Sequence, residues 1–303
     1  MTLPPGARGA VRVGGGNVND AYSVVMADGR RAFVKTRASV AAGEYRAEAA
    51  GLRWLSEPGA LRTPAVHAVH EQYLALQWIE QGQLSDAGAE ELGRGLALTH
   101  AAGCPWFGAP PQARGDSAAG SAGEGGAPVA RLGGLELPND RCASWPEFYA
   151  RCRLLPLARA ARDGGAISPQ GAGAVRSLCD RLEDLAGPAE PPARLHGDLW
   201  WGNVMADSRG RPWLIDPWAY GGHREVDLAM LALFGGGPAR VLDAYREQGA
   251  AGRGLGAARE PLPAAGAAVA RCAVRGLLRS VRAARGGALR RLSGPRAAER
   301  QAG

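Results

Sequence analysis

The sequence predicts an α+β fold of two lobes, in which a small antiparallel sheet is followed by a mostly helical lobe. One observation is the alternation of apolar and polar residues over residues 11–35, around a turn at Asp28 and Gly29, which is typical of a β-hairpin. The other is the helical spacing of apolar residues over much of the chain after residue 85. We therefore expect an N-terminal lobe of residues 1–80 and a C-terminal lobe of residues 81–303.

The rest of the N-terminal lobe is predicted to be one helix and a second pair of strands. The segment from Ala42 to Leu55 spaces its apolar residues helically, and Pro58 and Gly59 then end the helix. Strands are expected at residues 65–70 and 73–79. These elements together make an antiparallel sheet with one helix packed against it.

The C-terminal lobe is predicted to contain helices at residues 86–103, 145–161 and 170–186. Residues 109–134 are rich in Gly, Ala, Pro and Ser, so we expect a flexible loop there. Residues 250–303 form an atypical tail rich in Arg, Ala and Gly, with one helix expected within it.

Composition excludes several classes of protein. The net charge of +7 arises in the tail, where eleven arginines after residue 252 face only Glu260 and Glu299, and no aromatic residue is present there to stack on bases. We therefore expect no specific nucleic-acid binding.

No apolar run has the length of a membrane span or signal peptide, and the five cysteines form no CxxC pair. The chain is expected to be cytoplasmic, with its oligomeric state left open.

The most informative segment is LHGDLWWGNVMADSRGRPWLIDPW, which begins at Leu195. Phosphoryl transfer needs a carboxylate to orient the attacking hydroxyl and oxygen ligands to hold Mg²⁺ against nucleotide phosphates. Asp198 followed five residues later by Asn203 fits the Asp-x-x-x-x-Asn loop of kinases, and a short strand at residues 211–215 would deliver Asp216 to the same site. The alternative is an ordinary turn at Asp198 with Asp216 ending a strand.

Upstream residues supply what a nucleotide site needs. Gly14, Gly15 and Gly16 allow the backbone to approach phosphate groups, and Lys35 on the next strand supplies a positive charge. Glu48 lies on the following helix, where it would pair with Lys35. The alternative is a plain hairpin turn and a solvated lysine.

The end of the last predicted strand of the first lobe is the position of a kinase hinge. Gln77, Trp78 and Ile79 would there present backbone N–H and C=O groups to adenine. A simple strand end is the alternative.

With these residues assembled, the sequence resembles the fructosamine (ketosamine) kinases, which are relatives of aminoglycoside phosphotransferases and choline kinases. The resemblance rests on LHGDLWWGNV and on GGHREVDLAMLALFGG, which spans Gly221 to Gly236, and it extends from residue 11 to about residue 248. It implies a two-lobed protein-kinase-like fold, ATP and Mg²⁺ as cofactors, and phosphorylation of a sugar hydroxyl of a small-molecule ketosamine such as a fructosamine or ribulosamine.

The resemblance also implies a role for each matching residue. Asp198 would be the base, and Trp200 would be a platform for the sugar-amine. Asp227 would brace the catalytic loop. The metal and phosphate would be held by Asn203 and Asp216 as Mg²⁺ ligands, with Lys35 and Glu48 as the phosphate-gripping pair.

Two alternatives remain beside this interpretation. Another small-molecule kinase, acting on an aminoglycoside or a choline-like alcohol, would lack the GHREVDLAM string and the tryptophan after HGD. A pseudokinase that binds nucleotide without turnover is favoured only by the unusual tail, because the expected catalytic residues are all present.

Overall fold

The structure of the protein is a computed structural model, and it describes residues 2–13, 20–37, 40, 42–110, 129–132, 135–233 and 237–251. The predicted phosphate loop at Gly14, Gly15 and Gly16 lies outside these residues. So do most of the predicted loop at 109–134 and the tail from residue 252. In the part of the chain that is described, no helix combines the length and the apolar character needed to cross a bilayer.

The N-terminal lobe is built on a five-stranded antiparallel sheet in the order β1-β2-β3-β5-β4. The strands are β1 (Arg8–Val13), β2 (Asp20–Val25), β3 (Arg31–Thr36), β4 (Val66–Val69) and β5 (Tyr73–Gln77). The predicted hairpin around Gly29 is confirmed as β2 and β3. A further strand, β1, precedes this hairpin and pairs antiparallel with β2.

One helix, α1 (Glu44–Ser56), packs on the sheet as predicted. Its buried residues Tyr45, Ala49 and Leu52 contact Leu74 and Leu76 of β5. Alternate residues of the sheet point to the opposite face, where they form a second apolar cluster. This packing fixes α1 relative to β3, the strand that carries Lys35.

The core of the C-terminal lobe is formed by α2 (Asp86–Ala102), α7 (Glu225–Leu233) and α8 (Ala239–Ala251). The hydroxyl of Ser85 caps α2 by accepting a hydrogen bond from the backbone N–H of Gly88. Helices α2 and α8 approach closely at Gly93, where a Cβ atom would lie 2.1 Å from the carbonyl oxygen of Val241.

The predicted helix at residues 145–161 is interrupted by a π-helical turn. It consists of α3 (Trp145–Tyr149), the π turn (Ala150–Leu154) and α4 (Leu155–Asp163). Arg153 in that turn is fully buried, donates to the carbonyl of Pro138 and to Oδ1 of Asn139, and contacts three aromatic rings. Because most of these partners lie outside the helix, a helical pattern alone does not reveal the wider turn.

Two further predictions need correction. The helix expected at 170–186 is divided into α5 (Pro169–Cys179) and α6 (Leu182–Leu185). The loop expected at 109–134 ends earlier than predicted, because β6 (Val129–Leu132) pairs with β7 (Leu135–Pro138).

Short strand pairs frame the segment from Leu195 to Trp218. Strand β8 (Ala193–Leu195) pairs with β11 (Tyr220–Gly222), and β9 (Val204–Ala206) pairs with β10 (Pro212–Leu214). The strand predicted before Asp216 is thus confirmed as β10. Both pairs are antiparallel, so the chain leaves this region beside the point where it entered.

The close approach of α2 and α8 predicts the effect of Gly93→Ala. The new methyl group would meet backbone atoms of α8, so we expect the free energy of unfolding to fall by roughly 1–3 kcal/mol. Chemical denaturation measures this. Gly173→Ala in α5 is the matched control, because nothing lies within 4 Å of its Cβ position. The control should be neutral or stabilising by up to about 1 kcal/mol, and equal losses in both variants would contradict the prediction.

Candidate functional site

The ammonium group of Lys35 lies between two carboxylates. Its Nζ is 2.7 Å from Oε1 of Glu48 on α1, and it also pairs with Oδ1 of Asp216. Only 7% of the Lys35 side chain is exposed, whereas Asp216 is 46% exposed. Burial alone would lower the pKa of Lys35, but the charges of the two carboxylates outweigh it and raise the pKa above its usual value. Lys35 therefore carries its positive charge at neutral pH.

The loop that carries Asp198 is closed by Asn203. The amide nitrogen of Asn203 donates to the backbone carbonyl of Asp198 at 2.7 Å and to its Oδ2 at 3.2 Å. The residues between them complete a tight turn, in which the backbone N–H of Trp200 donates to the Asp198 carbonyl. The predicted five-residue spacing thus brings the two side chains into direct contact.

The same loop is joined to the segment that ends in Asp216. The backbone N–H of Ile215 donates to the carbonyl of Asn203 at 3.1 Å, and the ring Nε2 of His196 contacts the Ile215 carbonyl at 2.9 Å. Asp216 itself has a φ of 55°, a left-handed conformation that aspartate tolerates better than most residues. Asp198, Asn203, Asp216 and Lys35 therefore form one connected site.

Asp227, on α7, holds the backbone just before Asp198. Its Oδ2 accepts from the N–H of His196 at 2.8 Å, and its Oδ1 accepts from the N–H of Gly197 at 2.9 Å. Gly197 has a φ of 83°, and a Cβ there would lie 2.0 Å from the carbonyl oxygen of Trp218. The loop can take this path only with glycine at 197, and the expected bracing by Asp227 is present.

The side-chain oxygen atoms of Asp216 and Asn203 are suitable ligands for a magnesium ion. Mg²⁺ prefers oxygen ligands and is usually bound by one or two carboxylates together with substrate phosphates. Because the amide nitrogen of Asn203 donates to Asp198, its amide oxygen is the group left for a cation, and the half-exposed carboxylate of Asp216 is a second possible ligand. Among the residues described, no cluster of three or more His, Cys, Asp or Glu offers a metal site made by protein ligands alone.

The remaining predicted residues lie in the Asp198 loop or at the end of β5. The indole of Trp200 is 41% exposed and lies over Gly202, where any Cβ would collide with the ring. At the predicted hinge, Gln77 ends β5 and exchanges hydrogen bonds with Ala65. The Trp78 indole nitrogen donates to Glu80. Ile79 is partly buried, and the adenine-binding role of Gln77, Trp78 and Ile79 stays a prediction.

Sequence reasoning missed polar residues that shape the site from outside. Asp207 accepts from the backbone N–H groups of Arg209 and Arg211 and from the indole of Trp213, and so orders the turn between β9 and β10. Burial would raise its pKa, but the hydrogen bond from the Arg211 side chain, together with those from Trp213 and the backbone, holds the pKa far below its ordinary value. His100 of α2 contacts Asp227. The turn sequence around Asp207 could have indicated its role, whereas helical spacing alone does not show that His100 meets Asp227.

Comparison with known proteins identifies one family. The family model described as fructosamine kinase matches residues 6–260. A Thermus thermophilus protein described as a probable ketoamine kinase is 38% identical over 239 residues, which are 78% of this chain and 78% of that protein. A chloroplastic protein-ribulosamine 3-kinase of Arabidopsis thaliana is 32% identical over 226 residues, covering 72% of this chain and 63% of that one.

A solved structure gives the same result for the fold. A Thermobifida fusca protein, whose description names fructosamine-3-kinase, is 35% identical and has a TM-score of 0.71, covering 92% of this chain and 93% of that one. The similarity therefore extends across both lobes. The family model's match ends at residue 260, so most of the arginine-rich tail lies beyond it.

The buried position of Lys35 predicts the effect of Lys35→Met on stability. Removing one partner of a buried ion pair leaves Glu48 uncompensated, so we expect a loss of roughly 3–5 kcal/mol in the free energy of unfolding. Urea denaturation measures the loss. Arg12→Met removes the same charge from an exposed pair with Asp20 and should cost less than about 1 kcal/mol. Similar small losses in both variants would show that the pair with Glu48 is solvated.

Proposed function

The chain belongs to the fructosamine kinase family, and from that premise we propose that it transfers the γ-phosphate of ATP to a sugar hydroxyl of a ketosamine. Its fold is the two-lobed, protein-kinase-like α+β fold, and its reaction class is phosphoryl transfer to an alcohol. The observation that carries the proposal is the contact of Lys35 with both Glu48 and Asp216, beside the loop of Asp198 and Asn203.

Lys35 is proposed to grip the phosphates of ATP. Its ammonium group is charged, buried and fixed by Glu48, so it is held in place before the nucleotide arrives. A phosphate oxygen would take the place that Asp216 now occupies on Lys35. Asp216 and Asn203 would hold Mg²⁺, which when bound neutralises negative charge on the phosphates.

Asp198 is proposed to orient the attacking hydroxyl and to accept its proton. Asn203 binds both the backbone and the carboxylate of Asp198, which limits the directions in which that carboxylate can point. In phosphoryl transfer the protein contributes mainly positioning and charge stabilisation, so a fixed carboxylate suits the task. The product carries the phosphate on the sugar, which favours a role in deglycation.

Substrate contacts are proposed for the exposed face of Trp200. An aromatic face offers apolar contact to a sugar ring and attracts a protonated amine, and ketosamines combine both groups. Adenine is proposed to bind the backbone of Gln77, Trp78 and Ile79, and the phosphates to lie under Gly14, Gly15 and Gly16. We further propose a cytoplasmic location for the enzyme, where metabolites and proteins become glycated.

The substrate class is tested by ATP consumption with purified protein, Mg²⁺ and four acceptors: a ribulosamine, a fructosamine, an aminoglycoside and choline. We expect turnover on the two ketosamines, with the phosphate on the sugar, and none on the other two. Trp200→Ala should raise the KM of the ketosamine at least about fivefold without changing that of ATP, as expected for a lost aromatic contact. Turnover on the aminoglycoside or choline alone would assign the chain to another kinase class.

The proposed roles of Asp198 and Asp216 are separated by two variants. Asp198→Asn should lower kcat by at least about 100-fold while ATP still binds, because only the base is lost. Asp216→Ala should in addition weaken binding of Mg·ATP, measured by calorimetry. Asp243→Asn, on the exposed side of α8, is the control and should leave both quantities unchanged. Full turnover by the first two variants would refute the site.

A further inference from the structure

A buried chain of polar side chains runs from α8 through α2 to α7. The hydroxyl of Tyr245 lies 2.9 Å from Nδ1 of His100, and Nε2 of His100 lies 3.3 Å from Oδ2 of Asp227. Tyr245, His100 and Asp227 are buried, and each is at most 6% exposed. The chain ends at the carboxylate that holds the N–H groups of His196 and Gly197.

The direction of each hydrogen bond follows from its neighbours. Both oxygens of Asp227 already accept from backbone N–H groups, so His100 contacts it as a donor through Nε2–H. Neutral imidazole then has its lone pair on Nδ1, which must accept from the hydroxyl of Tyr245. Burial raises the pKa of Tyr245 to about 12, so this hydroxyl carries its proton at neutral pH. Tyr245 thereby selects the tautomer of His100 that binds Asp227.

We propose that His100 and Tyr245 are positioning residues for phosphoryl transfer. They orient Asp227, Asp227 orients the backbone of residues 196 and 197, and that backbone sets the direction of Asp198. The effect on turnover rests on the function proposed above, whereas the effect on the loop backbone is independent of it.

Energetics favour an orienting role over simple filling of space. A polar group that loses its hydrogen-bond partner in the interior is destabilising, and apolar residues of similar size would fill the same volume without that risk. The ring of His100 also meets the ring of Tyr245 edge-on, with centroids 5.5 Å apart. The close approach of α2 and α8 at Gly93 fixes the backbone of Tyr245. The chain of hydrogen bonds therefore begins on a rigid support.

Three variants and a control test the proposal. His100→Leu removes the donor to Asp227, His100→Gln keeps an amide N–H there, and Tyr245→Phe removes only the hydroxyl that selects the tautomer. Tyr149→Phe is the matched control, because Tyr149 is equally buried but its hydroxyl has no hydrogen-bond partner among the residues described. Each variant is compared with the wild-type chain for hydrogen exchange at the amides of residues 196 and 197 and for kcat and the KM of ATP.

Exchange at these two amides should be about tenfold faster in His100→Leu, which corresponds to the loss of one hydrogen bond. Tyr245→Phe should give at least about a threefold increase, and kcat should fall in parallel while the KM of ATP stays within about twofold. His100→Gln should bring both the amide exchange rate and kcat most of the way back to the wild-type values. A residue that only fills space would not produce this selective change, and Tyr149→Phe should leave exchange and kcat unchanged.

Unchanged exchange at residues 196 and 197 in both His100→Leu and Tyr245→Phe would overturn the proposal. If His100→Leu does not fold, Tyr245→Phe decides the matter alone. If the wild-type chain phosphorylates no ketosamine, the proposed function fails, and the exchange measurements still decide whether His100 and Tyr245 position the loop.

Discussion

The pairing of Lys35 with two carboxylates is the interaction on which the site between the two lobes depends. Lys35 belongs to the sheet of the first lobe, and Asp216 follows β10 of the second. A lysine with 7% exposure is tolerated in an interior only when carboxylates compensate its charge. Helix α1 must therefore present Glu48, and the second lobe must present Asp216, at one point beside β3.

Within the second lobe, side chains bind backbone groups that regular secondary structure would otherwise pair. Around Asp198 the strands are only three residues long, so ladder hydrogen bonds satisfy few backbone groups. His196, Asn203, Asp207 and Asp227 supply the missing partners for the backbone. Backbone groups left unpaired in an interior are costly, which makes these polar residues part of the architecture as well as of the site.

The structural features that depend on the local spacing of residues could be predicted from the sequence. The β2–β3 hairpin follows from alternation around Gly29, and α1 follows from helical spacing stopped at Pro58 and Gly59. The link between Asp198 and Asn203 was predictable because their spacing spans a single turn. Asp216 was placed correctly because a short apolar strand delivers it.

Features that depend on distant partners were not predictable. The π turn around Arg153 is stabilised by Pro138, Asn139 and aromatic rings from other segments. His100 and Tyr245 are 145 residues apart, so no local pattern indicates that their side chains meet. Periodicity reports which face of a helix is buried, but it does not report what that face meets.

The two carboxylates on Lys35 differ in a way that suits them to different tasks. Glu48 has 14% of its side chain exposed and Asp216 has 46%. Exchanging a partner is costly for a buried carboxylate, because it would be left desolvated and unpaired, whereas a half-exposed carboxylate can be solvated while it changes partner. In the proposed reaction, Glu48 would therefore keep its pair with Lys35, and Asp216 would release Lys35 to a phosphate group and bind the cation. The left-handed backbone at Asp216 favours the same division, since local strain of this kind persists where a residue must point to a site.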